Sequence, residues 1–499
     1  MPRPTSGPMA RIVVWFVVYA ALFLPSPTDL AAQRWVLVAP PQFQKPAQPL
    51  VDRRREQGHE VVQISVADGS TFADVQRRIL DATSDGGQVL LLGAWSQGAG
   101  HIPSGVGAEG RMQGEPTDFA FLRGLPLDGK RLLGRLPART PDEARAMVDK
   151  ILRCEDRPPG DGANRLALFI GHPGGANYLE QQVGESIVQH IGNQKLRELH
   201  PIWSAQCLAD MRSSPLATPQ FGARLRHELQ QPHLFSMFFG HSMAAGIGAS
   251  DQRVTREQFG QLDQQAGPAV MFTCGCYSCQ LAADDSGYAL SAIRGPRGPA
   301  AVIGAHGESY AVAGRLAMDG LNRHFSSAAP PRELGAYFLA VQKGIASGPI
   351  SNLTFFLFDQ GDGSRGQTSL AEQRKEHLEM WTLLGDPAMR LPLTPARLKV
   401  SAMRDGDRLR VSVAPGDETA SLWSSGATVN VVLECRDPEG KEDARFGAVL
   451  GRGKAEIRDQ TAELTLQLPA TAPRAMCVRA WLQGRGEAAV GAVQITANP

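Results

Sequence analysis

Short apolar runs alternate with amphipathic segments through most of this chain, and this alternation limits the folds open to it. RWVLVAP, VVQISVAD and QVLLLGAW have the length and apolar content of buried strands. The segments between them space apolar residues three or four positions apart, as an amphipathic helix does, and Gly86 and Gly87 end the second such segment. Strand, helix and strand in this order predict an α/β fold with mainly parallel sheets.

Breaks in this pattern divide the chain. The Pro- and Gly-rich stretch RPPGDGAN is the predicted linker between two α/β subdomains. Near residue 395 the pattern changes to alternating strands with turn signals, which predicts a C-terminal immunoglobulin-like β-sandwich. The predicted parts are a signal peptide (1–32), an N-terminal α/β subdomain (33–160), a catalytic α/β subdomain (161–394) and the sandwich (395–499).

The N-terminus has the layout of a secretory signal. Arg3 and Arg11 precede the apolar run from Ile12 to Leu24, and small residues follow up to Ala32. The run has 13 residues, too few to span a bilayer, so cleavage near Ala32 is predicted, with an uncleaved membrane anchor as the alternative. We therefore expect an exported protein of the periplasm, cell envelope or extracellular space, without an integral membrane span after cleavage.

Charge and cysteine content exclude some function classes. The 51 basic and 50 acidic residues nearly balance, which argues against a nucleic acid partner. Seven cysteines are few for a disulfide scaffold in an exported protein, and the odd number leaves at least one thiol without an intramolecular partner. Cys435 and Cys477 fall in two strands of the predicted sandwich and are candidates for a disulfide.

The segment CGCYSC, which contains Cys274, Cys276 and Cys279, follows an apolar strand and is open to three interpretations. Three thiolates could hold a metal ion or an iron–sulfur cluster, although the second paired cluster of a structural zinc site is missing from the sequence. Cys274 and Cys279 could instead form a disulfide or pack in the core. In the third interpretation one exposed Cys is a nucleophile. Residue counting alone favours packing.

A second apolar run, LFSMFFGH, ends at His241 and changes this balance. Ligands of open α/β sheets bind at strand ends, and Gly240 and Gly275 let the backbones there approach closely. A neighbouring imidazole can hold a thiol as thiolate and later protonate the leaving group. His241 and Cys276 are therefore the predicted catalytic pair.

The order of His and then Cys, each after a buried strand, resembles that of caspase-like cysteine peptidases. The blocks around the pair are similar to the gingipain family in the same order: the opening strand, helix and strand, then VLLLGAWSQGAGHIPSG, PTDFAF, LLGRLPARTPDEARAMVDKIL and WTLLGDPAMRLPL. The resemblance covers roughly residues 33 to 393. It implies a caspase-like fold and a secreted C25-type cysteine endopeptidase, which hydrolyses polypeptide substrates through an acyl-enzyme.

The resemblance also implies roles for individual residues. Cys276 is the expected nucleophile, and His241 is expected to protonate the leaving amine and then activate water. The backbone N–H groups of Ser242 and Cys276 would stabilise the oxyanion. Glu180 and Glu185, on the preceding helix, are candidates for an acid that orients the imidazole, although such residues often lie on a solvated helix face.

A further histidine follows the cysteine in the loop GAHGES. His306 could be catalytic, but its position after the cysteine is against the family order. The loop is expected to shape the pocket beside the pair, with Glu308 as a partner for a basic substrate side chain.

Two positions depart from the family pattern. Ser242 stands where Gly is usual, and its side chain could narrow the oxyanion site. Cys279 also stands where Gly is more usual, and could form an inhibitory disulfide with the nucleophile. The alternatives are therefore a catalytically inactive envelope binding or assembly protein and a sortase-like processing peptidase. No cofactor or metal site is expected for catalysis; calcium as a structural ion is implied by family likeness alone.

Overall fold

A computed structural model describes most of the chain. The described residues are 33–95, 100–157, 164–171, 178–210, 218–248, 253–264, 270–281, 287–394, 396–416, 423, 427–437, 446–470, 472–483 and 488–496. The predicted signal peptide and most of the predicted linker lie outside them.

The α/β region holds fifteen described strands and twelve described helices. The strands are β1 (Arg34–Ala39), β2 (Glu60–Ser65), β3 (Gly87–Leu92), β4 (Gly105–Val106), β5 (Pro116–Thr117), β6 (Arg131–Leu136), β7 (Arg165–Ile170), β8 (Ser204–Ala209), β9 (Phe235–Phe239), β10 (Ser242–Met243), β11 (Gly246–Ile247), β12 (Val254–Thr255), β13 (Val270–Cys274), β14 (Ala301–Ala305) and β15 (Trp381–Leu384). The helices are α1 (Pro41–Glu56), α2 (Phe72–Ala82), α3 (Pro141–Glu155), α4 (Tyr178–Val188), α5 (Leu196–Glu198), α6 (Phe221–Gln230), α7 (Arg256–Gly260), α8 (Tyr288–Arg294), α9 (Ala311–Phe325), α10 (Leu334–Ser347), α11 (Asn352–Asp362) and α12 (Leu370–Met380). A π-helical segment (Gln189–Lys195) joins α4 to α5.

Helix starts follow local signals in the sequence. At α3 the hydroxyl of Thr140 accepts a hydrogen bond of 3.2 Å from the N–H of Glu143, and Pro141 occupies the first helical position. At α12 Ser369 and Glu372 form a reciprocal capping box. Such caps satisfy backbone N–H groups that have no partner inside the helix, and each stabilises by about 1 kcal/mol.

Ten strands form one continuous sheet in the order β2-β1-β3-β6-β15-β14-β13-β9-β7-β8. Every neighbouring pair is parallel except β14 and β15. The sheet therefore consists of two parallel blocks of five strands that run in opposite directions. This architecture confirms the predicted α/β class with a mainly parallel sheet, and the two predicted subdomains share that sheet.

Strand β15 joins the two blocks and had no strand signal in the sequence. It has only four residues and begins where α12 ends, so its pattern merges with that of the helix. It pairs antiparallel with β14 along four residues, from Trp381 opposite Ala305 to Leu384 opposite Val302. On its other edge Leu384 pairs with Arg135 of β6.

A buried ion pair ties the first strand and helix to the segment after β15. The carboxylate of Asp386 accepts hydrogen bonds from the indole N–H of Trp35 at 3.0 Å and from Nη2 of Arg54 at 2.8 Å. All three side chains are fully buried. Asp386 also accepts from the N–H of Ala388 at 3.0 Å, so it caps a turn while it holds the arginine.

The C-terminal region consists of two antiparallel sheets. Its strands are β16 (Leu398–Asp405), β17 (Arg408–Pro415), β18 (Thr428–Cys435), β19 (Val449–Glu456), β20 (Ala462–Gln467), β21 (Ala475–Gln483) and β22 (Ala488–Thr496). The sheet orders are β16-β17-β20 and β19-β18-β21-β22. Buried side chains of both sheets, Val411 and Val431 among them, belong to one apolar cluster.

The candidate disulfide of this region does not form. Cys477 lies opposite Glu434 in the β18–β21 ladder, whereas Cys435 lies opposite Met476. Because successive side chains of a strand point to opposite faces, the two thiols lie on opposite sides of the sheet. Both are free.

None of the helices in the described ranges has the length and apolar content needed to cross a membrane.

Candidate active site

The register of two parallel strands brings His241 and Cys276 to the same edge of the sheet. Phe239, the last residue of β9, pairs with Cys274, the last residue of β13. His241 and Cys276 each follow two residues later, and the carboxyl ends of parallel neighbours meet at one edge. Strands β9 and β13 lie in the apolar core, whereas His241 and Cys276, just beyond their ends, are only partly buried.

A pocket opens at this edge and is lined by both side chains. Its other walls come from the C-terminal part of α4 and the π-helical segment, from α9 and from α11. These walls are formed by Ile187, His190, Ile191, Ala311, Gly314, Arg315, Met318, Phe358 and Asp362. A second pocket adjoins it on the side of Glu180 and shares His241 and Asp362 as lining residues.

Ser242 links the two loops that carry the candidate pair. Its hydroxyl donates a hydrogen bond of 2.7 Å to the carbonyl oxygen of Cys276. Gly275 leaves the room for this contact, because a Cβ there would lie 2.1 Å from Ser242 Oγ. Gly240 has a φ of 144°, a conformation that L side chains rarely adopt, and packs on the backbone of Gly171. Ser242 is thus a structural link between the two loops.

The Cys276 thiol is half-buried and lies 3.5 Å from the carbonyl oxygen of Ser309. Burial raises the pKa of this thiol to about 11, against the opposing effect of the Ser309 hydrogen bond. The thiol is therefore protonated at neutral pH. The backbone N–H of Cys276 has no hydrogen-bond acceptor among the described residues, so it is available to a ligand in the pocket.

Glu180, one of the two candidate acids on α4, lies close to His241. The imidazole Nε2 lies 3.9 Å from Oε1 of Glu180, with the His241 side chain 38% exposed and the Glu180 side chain 17% exposed. Glu185 instead accepts a hydrogen bond of 3.4 Å from Gln182 on the same helix, and it does not line either of these pockets.

Asp362, at the end of α11, is a pocket residue that sequence reasoning missed. Burial raises the pKa of its carboxyl, the charge of His241 opposes this rise, and the charges of Glu180 and Glu308 add to it. In the sequence it stands in DQGDG, which is typical of a loop acid, so no local signal connects it with His241.

His306 and Glu308 are placed differently from the expectation. His306 is buried, its Nε2 lies 3.2 Å from the carbonyl oxygen of Glu379, and burial lowers its pKa to about 4. Glu308 is 57% exposed and its carboxylate accepts a hydrogen bond of 2.9 Å from Arg111. Neither residue lines the pocket that holds Cys276.

The neighbouring cysteines occupy separate environments. Cys274 lines the pocket, and its Sγ lies 3.6 Å from the carbonyl oxygen of Gly314 on α9. Cys279 is fully buried, with its Sγ packed against Gly304, and burial raises its pKa to about 12. All seven thiols are free. Among the described residues, no three His, Cys, Asp or Glu side chains converge on a position that could hold a metal ion.

Comparisons with known proteins identify relatives of this chain. The model of peptidase family C25 matches residues 28–392. The crystal structure of the Arg-specific cysteine proteinase gingipain R (RgpB) aligns at 14% identity over 95% of this chain and 100% of that chain, with a TM-score of 0.53. The complex of Porphyromonas gingivalis RgpB pro- and mature domains aligns at 15% identity over 93% of this chain and 99% of that chain, with a TM-score of 0.52. A search of the curated proteins returned no match.

Proposed function

We propose that this chain, which belongs to peptidase family C25, the gingipain family of cysteine peptidases, hydrolyses peptide bonds. In this proposal Cys276 is the nucleophile and His241 is the acid and base. One observation carries the proposal: both side chains line a single pocket at the ends of neighbouring parallel strands. A pocket that also offers a free backbone N–H is suited to acyl transfer.

The reaction begins with proton transfer, since the buried thiol is protonated in the free protein. As a peptide binds, His241 removes the thiol proton and Cys276 Sγ attacks the carbonyl carbon. The resulting oxyanion accepts hydrogen bonds from the N–H groups of Cys276 and Ser242. His241 then protonates the leaving amine, which departs to give the acyl-enzyme. Finally the imidazole activates a water molecule, and hydrolysis releases the acid and restores the thiol.

Glu180 is the acid that we assign to orient His241. The distance of 3.9 Å to Nε2 is longer than a hydrogen bond, so the carboxylate acts through charge in the free protein and favours the imidazolium that forms during attack. Glu185, which hydrogen-bonds within its own helix, has no part in the proposal.

Variants at the three neighbouring cysteines test the proposal. We expect wild type to hydrolyse a mixed set of fluorogenic peptides under reducing conditions and the Cys276→Ala variant to have no turnover above background. Cys274→Ala and Cys279→Ala are matched controls that keep the proposed nucleophile and should retain turnover. Equal turnover by wild type and Cys276→Ala would contradict the proposal. No turnover by either protein would also contradict it and would favour the inactive envelope protein.

The setting of the enzyme is part of the proposal. We propose that residues 1–32 direct export and are removed, that polypeptides are the substrates, and that the two C-terminal sheets form an immunoglobulin-like sandwich that supports the catalytic region. The guanidinium of Arg436 in the C-terminal region donates to the carbonyl oxygens of Pro201 and Trp203 in the α/β region. N-terminal sequencing of the exported protein tests the cleavage near Ala32.

Calcium remains a prediction from family likeness. No described cluster of side chains suits it, and no step of the proposed reaction uses it. A thermal unfolding midpoint that is equal with calcium and with a chelator would count against it.

A further inference from the structure

The pocket beside Cys276 contains a cation that has no ion-pair partner among the described residues. Arg315 of α9 is half-buried and lines this pocket. Its guanidinium lies over the ring of Phe358, with 5.4 Å between the guanidinium carbon and the ring centroid. Within the described part of the chain, Arg315 makes no hydrogen bond and no carboxylate lies within ion-pair distance of it. A partly desolvated guanidinium without a partner favours an anionic ligand.

The nearest acid on the same helix is already engaged. Asp319 stands one turn beyond Arg315 on α9, and its Oδ1 lies 2.7 Å from His190 Nε2 and 3.1 Å from Lys195 Nζ. These two partners hold the carboxylate and lower its pKa despite burial. Asp319 therefore attracts Arg315 only at longer range, and it does not neutralise the guanidinium.

The other acid that lines the pocket, Asp362, lies near the proposed catalytic histidine and outside ion-pair distance of Arg315. Asp362 faces His241, whose charge is the largest influence that favours the ionised carboxyl. The negative charge of Asp362 is thus matched by the imidazolium that forms during attack. Among the described residues, Arg315 is thus left without a carboxylate at hydrogen-bond or ion-pair distance, and Asp319 acts on it only at longer range.

Arg315 is placed to bind a side chain of the substrate peptide, namely that of the residue whose carbonyl carbon Cys276 attacks. The carbonyl oxygen of Ser309, just before α9, lies 3.5 Å from the Cys276 thiol. Ala311, Gly314, Arg315 and Met318 then follow along one face of α9. At 1.5 Å per residue, Arg315 lies about 6 Å along the axis beyond Ala311. Because Arg315 and Cys276 line the same pocket, an acidic side chain of a peptide bound at Cys276 can point toward the guanidinium.

We propose that Arg315 makes this pocket a subsite for an acidic side chain, so that the peptidase cleaves after Glu or Asp. The inference rests on the proposed function. The carboxylate pairs with the guanidinium, while Ile187, Ile191 and Met318 enclose the methylene groups. These apolar walls keep water from the pair and so strengthen it.

Hydrolysis of matched peptides tests the subsite. The peptides are internally quenched and identical except for Glu, Gln or Lys before the scissile bond. We expect kcat/KM of wild type to be at least tenfold higher for Glu than for Gln and Lys. Arg315→Gln should reduce the ratio of Glu to Gln to about one, and Arg315→Lys, which keeps the charge, should retain a preference for Glu. Arg323→Gln, at an exposed position of the same helix, is the matched control and should keep the wild-type ratio.

Binding separates the subsite from the chemistry. Affinities of the same peptides for the Cys276→Ala variant, with and without Arg315→Gln, should follow the same order. Turnover that depends on Cys276 but prefers Gln or Lys, or an equal loss for all peptides in Arg315→Gln, overturns the subsite and leaves the peptidase proposal intact. Tighter binding of the Glu peptide that requires Arg315, in a protein that hydrolyses none of them, supports the subsite and overturns the peptidase.

Discussion

Ser242 Oγ donates a hydrogen bond of 2.7 Å to the carbonyl oxygen of Cys276, so the loop after β9 and the loop after β13 are held together by one side chain. The contact depends on the glycine between them, since a Cβ at Gly275 would lie 2.1 Å from that hydroxyl and 2.8 Å from Ser242 Cβ. Ser242 and Gly275, the glycine that allows its close approach, therefore form one structural unit.

This unit predicts a coupling between two substitutions. Gly275→Ala alone should destabilise the protein by about 1–3 kcal/mol, because the new methyl group overpacks the contact. In a Ser242→Gly background the same change should cost much less, since the atom nearest the new Cβ is then the carbonyl oxygen of Gly240 at 3.3 Å. Denaturant unfolding of the four proteins measures the coupling. Additive effects would show that the two side chains do not meet.

Two acids on α4 form a matched pair for a test of catalysis. Glu180→Gln should lower kcat by about tenfold, because it removes the charge that favours the imidazolium of His241. Glu185→Gln, five residues further along the same helix and hydrogen-bonded to Gln182, should leave kcat unchanged. Steady-state kinetics on one fluorogenic peptide compares the two. Equal losses in both variants would contradict the assigned role of Glu180.

Asp362 predicts a pH-dependent gain in stability on substitution. Burial raises the pKa of its carboxyl in the folded state above 3.8, so the folded protein holds the proton over a pH range in which the unfolded chain has lost it. Stability is therefore lost as the pH rises through that range. Asp362→Asn should raise the thermal unfolding midpoint at neutral pH and change it little below about pH 4. A lower midpoint at neutral pH would show that the carboxylate stabilises the fold.

The buried pair of Arg54 and Asp386 predicts a large effect on stability. Asp386→Ala leaves the indole N–H of Trp35 and part of the fully buried Arg54 guanidinium without this acceptor, while Glu155 still pairs with Arg54 at 2.8 Å. The loss should be about 2–3 kcal/mol. Asp52→Ala breaks an exposed pair with Arg55 in the same helix and should cost less than about 1 kcal/mol. The free energy of unfolding in denaturant compares them, and a small loss for Asp386→Ala would refute the buried pair.

Local patterns predicted much of the sheet, since a buried strand needs a continuous apolar run and an amphipathic helix needs a spaced one. Continuous apolar runs coincide with five strands of the sheet: β1, β3, β9, β13 and β14. β8 lacked a clear signal because Gln206 and Ser204 interrupt its apolar pattern, and β15 lacked one because it is short and follows a helix without a turn. Its antiparallel pairing with β14 is a long-range contact that no local rule contains.

The residues of the candidate site also fall into those that local sequence patterns indicated and those that only the fold brought to the pocket. The sequence placed His241 and Cys276 after apolar strands and suggested Glu180, because a strand end and a helix start are local features. It did not indicate Asp362 or Arg315, which reach the pocket from helices that follow Cys276 in the chain. It also suggested His306, whose ring the fold buries against the carbonyl oxygen of Glu379.

The sequence by itself thus determined the class of fold and the two side chains proposed for the chemistry, since these depend on residue types at short spacing. Its resemblance to the gingipain family, carried by the order of several blocks along the chain, indicated the family. Only the tertiary structure decided that Ser242 binds the carbonyl of Cys276 and that Arg315 has no ion-pair partner within the described part of the chain. Both depend on packing between segments that are distant in the sequence. A hydrogen bond or an unpaired charge depends on which residues are neighbours in space, and local sequence patterns do not specify those neighbours.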